Sequence, residues 1–460
     1  MKAKNLLDFF NSPEAAALFS SLYREAEPAR RRYSSLAESF LRHDGPDGFP
    51  SDEFPGTPPE LRVFSVPGRT ELGGNHTDHN RGKVLAASIQ LDAAAVVAPR
   101  QDKQVFFRST GHGDVKVDIT DLSIRNEEKG NTESLIRGIA AEFTARGTPV
   151  KGFTANADNM VLTGSGLSSS AAVEVLFAKI FDNLYCGGKR SALELAQIGQ
   201  KAENLYFGKP CGLMDQTSCA SGGAVAIDFA NPENPVVRRL DFDPAAAGFT
   251  LCVVNTKGSH SDLTPDYAAI PFEMKAAAAF FGNSVLRELN EETLMTRLCD
   301  LRKAAGDRAI LRALHFFGEN RRVDAMLCAL EKMNASVPED QAKAIDSFLT
   351  LVRESGDSSW ELLQNIYSPK NPGEQGISLA LALTKNFLSG GNSSRENNGA
   401  CIGLRLGACR VHGGGFAGTI QAYIPHNKMD DYRRLMEGIF GEGSLTVLRI
   451  RPQGAVELNQ

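Results

Sequence analysis

Residues 162–172 read LTGSGLSSSAA, a glycine- and serine-rich stretch that leads directly into a helical pattern. Val173, Leu176, Ile180 and Leu184 form one apolar stripe of that helix. Glycines let a backbone approach a ligand closely, and the free N–H groups and dipole at a helix start favour phosphate. A serine-rich cap on an ordinary helix would give the same pattern. No Gly-Lys-Ser/Thr follows, so this phosphate loop is not a Walker loop.

The elements around the phosphate loop alternate in character along the chain. Helical spacing covers residues 5–42, and a Gly-, Pro- and Asp-rich linker follows over residues 43–59. Strand-like runs begin at Leu61, residues 266–388 are mainly helical, and strands return beyond Gly399. This order predicts an α+β protein. We expect three parts: a helical extension and linker (1–59), an N-terminal domain (60–240) and a C-terminal domain (241–460).

Composition narrows the class of protein. The chain has 460 residues, 42% of them hydrophobic and 23% charged, as in a globular protein of two or three packed units. A net charge of -5 argues against a dedicated nucleic-acid binder. No apolar run is long enough for a membrane span or a secretory signal. Eight dispersed cysteines without a CxxC pair indicate reduced thiols, so we expect a cytoplasmic protein.

A second polar, glycine-rich motif precedes the phosphate loop. Residues 67–85 read PGRTELGGNHTDHNRGKVL and concentrate Arg69, His76, Asp78 and His79. Paired donors and acceptors of this kind suit the hydroxyl groups of a sugar. A metal site is the alternative, but the regular spacing and thiolate ligands of many zinc sites are missing.

Two further motifs follow the phosphate loop. Residues 208–216 read GKPCGLMDQ and present Asp215 in a glycine-flanked turn, either as a turn-former or as a general base. Residues 411–418 read VHGGGFAG, the triple-glycine loop, whose amides could line an anion or which could be a tight bend between strands. Spacing alone does not choose between these alternatives.

The four motifs in this order resemble the galactokinase branch of the GHMP small-molecule kinases. The resemblance spans roughly residues 62–424, and the HTD run and CGLMDQ are its most specific parts. It implies a two-domain GHMP kinase fold, with a ribosomal protein S5 domain 2-like N-terminal domain and a ferredoxin-like α+β C-terminal domain. It also implies ATP and Mg²⁺, and transfer of the γ-phosphoryl group of ATP to the C1 hydroxyl of galactose.

The resemblance assigns roles residue by residue. Asp215 would accept or orient the proton of the C1 hydroxyl, and Arg69 would restrain Asp215 and compensate charge. Ser170 and Glu203 would bind Mg²⁺ through hard oxygen ligands. The backbone around the ATP phosphates would come from Gly164, Ser165, Gly166, Leu167, Ser168, Ser169, Ser170, Gly413, Gly414 and Gly415.

The sugar contacts implied by the family map to Asn75, His76, Asp78, Gly212 and Tyr267. We call residues 67–85 the sugar loop. Galactokinases usually read GEHTDYN where this chain reads GNHTDHN, so Asn75 replaces a glutamate that contacts sugar, and His79 replaces a tyrosine. An amide donates as well as accepts hydrogen bonds, so the exchange predicts a changed polar complement near the sugar.

Three functions stay open at this point. The first is galactokinase activity. The second is a sugar-1-kinase for a related hexose such as galacturonate or N-acetylgalactosamine. The third is a sugar and ATP sensor without turnover, disfavoured because Arg69, Asp215, Ser170 and Glu203 are all present. We expect a monomer; the adenine pocket and the role of the N-terminal helices are undetermined by sequence.

Overall fold

The computed structural model describes residues 3–41, 60–162, 164–258, 263–333, 338–390 and 407–459. The predicted linker over residues 43–59 lies outside the described residues, as does most of the polar loop predicted over residues 389–398.

Helices and strands alternate much as the sequence pattern predicts. The helices are α1 (Ala3–Phe10), α2 (Pro13–Tyr23), α3 (Ala26–Leu41), α4 (Thr132–Ala145), α5 (Ser169–Tyr185), α6 (Ala192–Ala202), α7 (Met214–Ser221), α8 (Thr264–Phe280), α9 (Glu291–Thr296), α10 (Leu298–Ala305), α11 (Asp307–Met333), α12 (Pro338–Ser358), α13 (Gly376–Leu388) and α14 (Met429–Phe440). The strands are β1 (Arg62–Gly73), β2 (Lys83–Pro99), β3 (Gln104–Ser109), β4 (Val115–Asp118), β5 (Phe153–Asn159), β6 (Ala224–Asp228), β7 (Val236–Leu240), β8 (Phe249–Asn255), β9 (Ala408–His412), β10 (Thr419–Pro425), β11 (Leu445–Leu448) and β12 (Val456–Glu457).

The larger sheet is buried on both faces. Its order is β12-β1-β2-β5-β3-β4, with β6 and β7 continuing from β2. Along β2, Ala93, Ala95 and Val97 pack into the core shared with α4–α7, whereas Ala94 and Val96 pack against α1–α3. Successive residues of a strand point to opposite faces, so burial of both faces produces the continuous apolar run seen in the sequence.

The N-terminal helices are fixed to the sheet by a buried carboxylate. Asp92 on β2 is fully buried, and Arg32 of α3 and Arg451 near the end of the chain both pair with it. The hydroxyl of Tyr23 donates to the same carboxylate at 2.5 Å. Burial opposes ionisation of Asp92, but the two arginines hold its pKa at about 2. The helical extension is therefore an integral layer of the N-terminal sheet.

The smaller sheet has the order β11-β8-β10-β9. On β8, Cys252 and Val254 face α13 and α14, whereas Leu251 and Val253 join the large core that continues into the first sheet. The C-terminal strand β12 pairs with β1, so the two halves share both a core and a sheet edge. The predicted division at residue 240 stays a prediction. No helix in the described ranges is both long and apolar enough to cross a membrane.

Candidate active site

Strand β1 and helix α7 bring the predicted catalytic residues into direct contact. Arg69 Nε donates to Asp215 Oδ1 at 2.8 Å, and Nη2 donates to Oδ2 at 2.9 Å. This bidentate arrangement fixes both side chains. The Arg69 side chain is 6% exposed and that of Asp215 is 33% exposed, so the carboxylate has an accessible edge.

The phosphate loop is fastened to this pair. Ser168 precedes α5 with a left-handed backbone (φ 60°, ψ 54°), and its hydroxyl donates to Asp215 Oδ2. Arg69 Nη1 donates to the carbonyl of Gly166, and its backbone N–H donates to the carbonyl of Leu167 at 3.1 Å. The N-terminus of the seventeen-residue helix α5 therefore lies next to the Asp215 carboxylate.

The surroundings keep Asp215 ionised. Burial opposes the charge, but the Arg69 guanidinium and the hydrogen bond from Ser168 outweigh it and hold the pKa of Asp215 below its usual range. An ionised carboxylate with an accessible edge can accept or orient a hydroxyl proton at neutral pH.

The triple-glycine loop closes over the phosphate loop from the smaller sheet. A Cβ on Gly413 would lie 3.4 Å from the Cα of Gly166. A Cβ on Gly414 would lie 2.5 Å from the ring of Tyr267, so only glycine fits there. The Tyr267 hydroxyl donates to the carbonyl of Gly415 at 3.0 Å. Two motifs 250 residues apart in the chain thus form one surface.

Two residues of the sugar loop reach the same surface. His76 has a left-handed backbone (φ 58°), and its Nε2 lies 3.0 Å from the carbonyl of Gly414. Burial lowers the pKa of His76 to about 4, so the ring is neutral, its Nε2–H donates and its Nδ1 is an acceptor. Asp78 packs on Gly212, where a Cβ would lie 1.9 Å from its Oδ2.

Asn75, which the resemblance assigns to the sugar, is buried inside the protein. It is 1% exposed, and its Nδ2 donates to the Gly413 carbonyl at 2.8 Å and to Glu71 Oε1 at 3.1 Å. Its Oδ1 accepts from Asn365 Nδ2 at 2.8 Å. Both ends of the amide are thus engaged inside the protein. His79 is exposed, with Nε2 3.8 Å from Asp78 Oδ1.

The residues that the resemblance assigns to Mg²⁺ lie beside Asp215. Ser170 is exposed in the first turn of α5, and Glu203 is buried in a π-helical turn that follows α6. Gln216 Nε2 bridges Glu203 Oε2 at 3.0 Å and Glu174 Oε2 at 2.9 Å. Burial and the neighbouring Glu203 raise the pKa of Glu174 well above its usual range. Gln216 and Lys209 both donate to Glu203, and the described residues contain no cluster of three or more His, Cys, Asp or Glu side chains that could hold a metal, so binding of Mg²⁺ by Ser170 and Glu203 stays a prediction.

Sequence reasoning missed the residues that support the sugar loop from α11. His315 Nε2 lies 2.9 Å from the carbonyl of Asn75, and Glu319 Oε2 accepts from the N–H of Gly74 at 2.9 Å. Asn320 Oδ1 accepts from the N–H of Lys83 at 2.7 Å. In the sequence, only the unusual presence of such polar residues within an apolar helical stripe marks them.

His412 of the triple-glycine loop is a second missed residue. Its Nε2 lies 2.9 Å from Thr70 Oγ1, and its Nδ1 lies 3.3 Å from Thr419 Oγ1, which itself donates to the carbonyl of Ser165 at 2.9 Å. Burial lowers the pKa of His412 to about 3, so it is neutral. This ring joins the sugar loop to the phosphate loop.

Family models and solved structures define the class. The model for the GHMP kinases N terminal domain matches residues 134–223, and that for the galactokinase galactose-binding signature matches residues 51–99. A galactokinase from Lactococcus lactis complexed with galactose covers 92% of this chain and 99% of its own at 24% identity, with a TM-score of 0.71. The mevalonate kinase of Methanococcus jannaschii gives 0.56 at 11% identity, covering 85% and 98%. The architecture is that of a GHMP small-molecule kinase.

Curated relatives narrow the class further. The galactokinase of Streptomyces coelicolor is 32% identical over 309 residues, which cover 64% of this chain and 77% of that protein. Human galactokinase is 32% identical over 290 residues, covering 61% and 70%. The galactokinase of Clostridium tetani is 27% identical over 387 residues, covering 81% and 86%. This chain belongs to the galactokinase family.

Proposed function

We propose that this protein is an ATP-dependent galactokinase, a sugar 1-phosphotransferase. It transfers the γ-phosphoryl group of ATP to the anomeric C1 hydroxyl of galactose and releases galactose 1-phosphate and ADP. The observation that carries the proposal is the ionised Asp215 held by Arg69 and Ser168 beside the phosphate loop.

In the proposed reaction, Asp215 accepts or orients the proton of the C1 hydroxyl, which attacks the γ-phosphorus in line. Arg69 keeps the carboxylate ionised and compensates negative charge near the transferred group. Phosphoryl transfer depends mainly on such positioning and charge neutralisation, so few side chains suffice.

The ATP phosphates are proposed to bind along Gly164, Ser165, Gly166, Leu167, Ser168, Ser169 and Ser170, with Gly413, Gly414 and Gly415 opposite. The contact between Gly413 and Gly166 supports one shared phosphate site. Ser170 and Glu203 would hold Mg²⁺, which when bound neutralises phosphate charge. The Lys209 ammonium, 3.1 Å from Glu203 Oε1, adds positive charge at the same carboxylate.

The sugar is proposed to contact His76, Asp78, Gly212 and Tyr267. Support comes from the packing of Asp78 on Gly212 and from the hydrogen bonds of His76 and Tyr267 to the triple-glycine loop. Donors and acceptors of this kind suit a polyhydroxylated substrate, which supports the proposed sugar site. Asn75 is proposed to support this site from behind rather than to touch the sugar.

The decisive experiment follows ADP release by the purified protein with ATP and Mg²⁺. The sugar panel contains galactose, galacturonate, N-acetylgalactosamine and glucose, with mevalonate as a control for the wider superfamily. We expect the highest kcat/KM with galactose, and Asp215→Asn should abolish the signal. No turnover with any sugar would refute the kinase proposal and favour the sensor; preference for another sugar would correct the substrate.

We further propose that the protein acts in the cytoplasm. All seven cysteines within the described residues are free, which is typical of a reducing compartment. The monomeric state stays a prediction, and size-exclusion chromatography with light scattering tests it.

A further inference from the structure

The back of the sugar loop contains a buried charge that the reaction does not use. Glu71 on β1 and Arg410 on β9 form an ion pair in which the side chains are 3% and 1% exposed. Arg410 Nε and Nη1 have no hydrogen-bond partner among the described residues. Leaving either member of such a buried pair alone is costly, so its position is strongly constrained.

Asn75 completes this pair. Its Nδ2 donates to both oxygens of Glu71, at 3.1 and 3.3 Å, and to the Gly413 carbonyl at 2.8 Å. All three acceptors carry negative charge or partial charge. A glutamate at position 75, as galactokinases usually have, would bring a second carboxylate against Glu71 and the Gly413 carbonyl, so two negative charges would share the single guanidinium of Arg410.

The same geometry constrains position 71. If Glu71 were uncharged, Arg410 would lose the carboxylate that pairs with it at 2.5 Å. One carboxylate and one amide are therefore needed beside Arg410. A glutamate side chain at position 75 is one methylene longer than Asn75, whose Nδ2 already contacts the oxygen that Arg410 binds.

We propose that Glu71 and Asn75 act as one positioning unit that ties the sugar loop to Arg410. In this unit the carboxylate is at position 71, and the amide is at position 75, where galactokinases usually have a glutamate. The unit determines where the loop holds His76 and Asp78 and leaves the sugar contacts themselves intact. Asn75 is then the complement of Glu71 and not an adaptation to a different sugar. This inference rests on the proposed galactokinase function and concerns the loop that is proposed to bind its sugar.

The test is a double-mutant cycle of wild type, Glu71→Asn, Asn75→Glu and the double exchange. Each single exchange should lower the melting temperature and raise the KM for galactose about tenfold or more, with the KM for ATP little changed. The double exchange should recover both values to within about threefold of wild type, because it restores one carboxylate and one amide. Asp324→Asn is the control, since Asp324 is an exposed partner of Lys83 at the end of the same loop.

Two results would overturn the proposal. One is additive loss in the double exchange, which would make the two positions independent. The other is a changed hexose preference in Asn75→Glu without loss of thermal stability, which would make residue 75 a direct sugar contact. If a single exchange does not fold, the double exchange decides alone: wild-type-like melting supports the unit and misfolding refutes it. Melting temperatures measure the coupling even if wild type does not phosphorylate galactose, so failure of the function is recognised separately.

Discussion

Two ion pairs that begin two residues apart on β1 have opposite characters. Arg69 pairs with Asp215 inside the N-terminal half, and one-third of the Asp215 side chain is exposed. Glu71 pairs with Arg410, 339 residues away along the chain, and both side chains are buried. We propose that the first pair presents a charge to the substrate and that the second fixes the loop that receives the sugar. Changes to the first should therefore reduce turnover, and changes to the second should reduce stability and sugar affinity.

The largest effect is expected for Asp215→Asn. Loss of the proton acceptor should lower kcat by about 10²–10⁴-fold. The fold should be retained and the melting temperature should fall less than in Arg410→Met, because an asparagine keeps one acceptor for Arg69 and one-third of the Asp215 side chain is exposed. Steady-state kinetics and calorimetry measure the two quantities, with the exposed Asp300→Asn as control. A variant that retains turnover would remove the distinction between the two pairs.

Arg410→Met should show the reverse pattern. It leaves the Glu71 carboxylate buried without its cation, so the free energy of unfolding should fall by about 3–5 kcal/mol. Urea unfolding measures this loss. The exposed Arg434→Met, which breaks a pair with Asp431, should cost less than about 1 kcal/mol. Equal losses in the two variants would contradict the burial argument.

His315→Leu tests whether α11 supports the sugar loop, and a smaller effect is expected. It removes the partner of the Asn75 carbonyl and of the Ser358 hydroxyl, which lies 2.8 Å from His315 Nδ1. Each orphaned group should cost about 1–3 kcal/mol. The KM for galactose should rise while kcat falls less. The exposed His112→Leu is the control, and an unchanged KM in His315→Leu would show that α11 does not position the loop.

The smallest effect concerns pH. Burial lowers the pKa of His412 to about 3 and that of His315 below its usual range. Below pH 6.5 the unfolded chain therefore binds more protons than the folded protein. The free energy of unfolding should therefore fall as the pH drops from about 6.5 toward 3. Asp215, whose pKa is lowered by Arg69, should stay ionised over pH 7.5–5.5.

As the pH is lowered from about 7.5 to 5.5, the melting temperature of the wild type should decline, and that of His412→Gln should decline less. Single-turnover rates at saturating substrates should not follow the same decline. If the rate and the melting temperature fall together, the same titrating groups control turnover and stability. The proposed separation between the two regions is then wrong.

The front of the site could be predicted from sequence because each motif is local. The phosphate loop has its glycines, serines and helix start within residues 162–172, and the helical extension has its period within residues 5–42. Glycine positions and side-chain types can be read from such short segments. The order of the motifs then indicates that Arg69 and Asp215 belong to one site.

The back of the site could not be predicted, because its contacts join distant segments without a repeating pattern. Glu71 lies in a buried strand, and nothing in its neighbourhood indicates Arg410. The resemblance assigns position 75 a contact with the sugar. A resemblance predicts the role of a position in the family, but not which neighbours a different side chain contacts there.

The pairing of β1 with β12 has a consequence for synthesis of the chain. Arg62 on the first strand pairs with Glu457 on the last, 395 residues later. At ribosomal rates this interval lasts roughly 20–80 s. During that time the strand that carries Arg69 has an open edge, and Asp92 lacks Arg451. A truncation that removes Arg451 and β12 would thus act as a folding lesion, although it removes no residue proposed to contact a substrate.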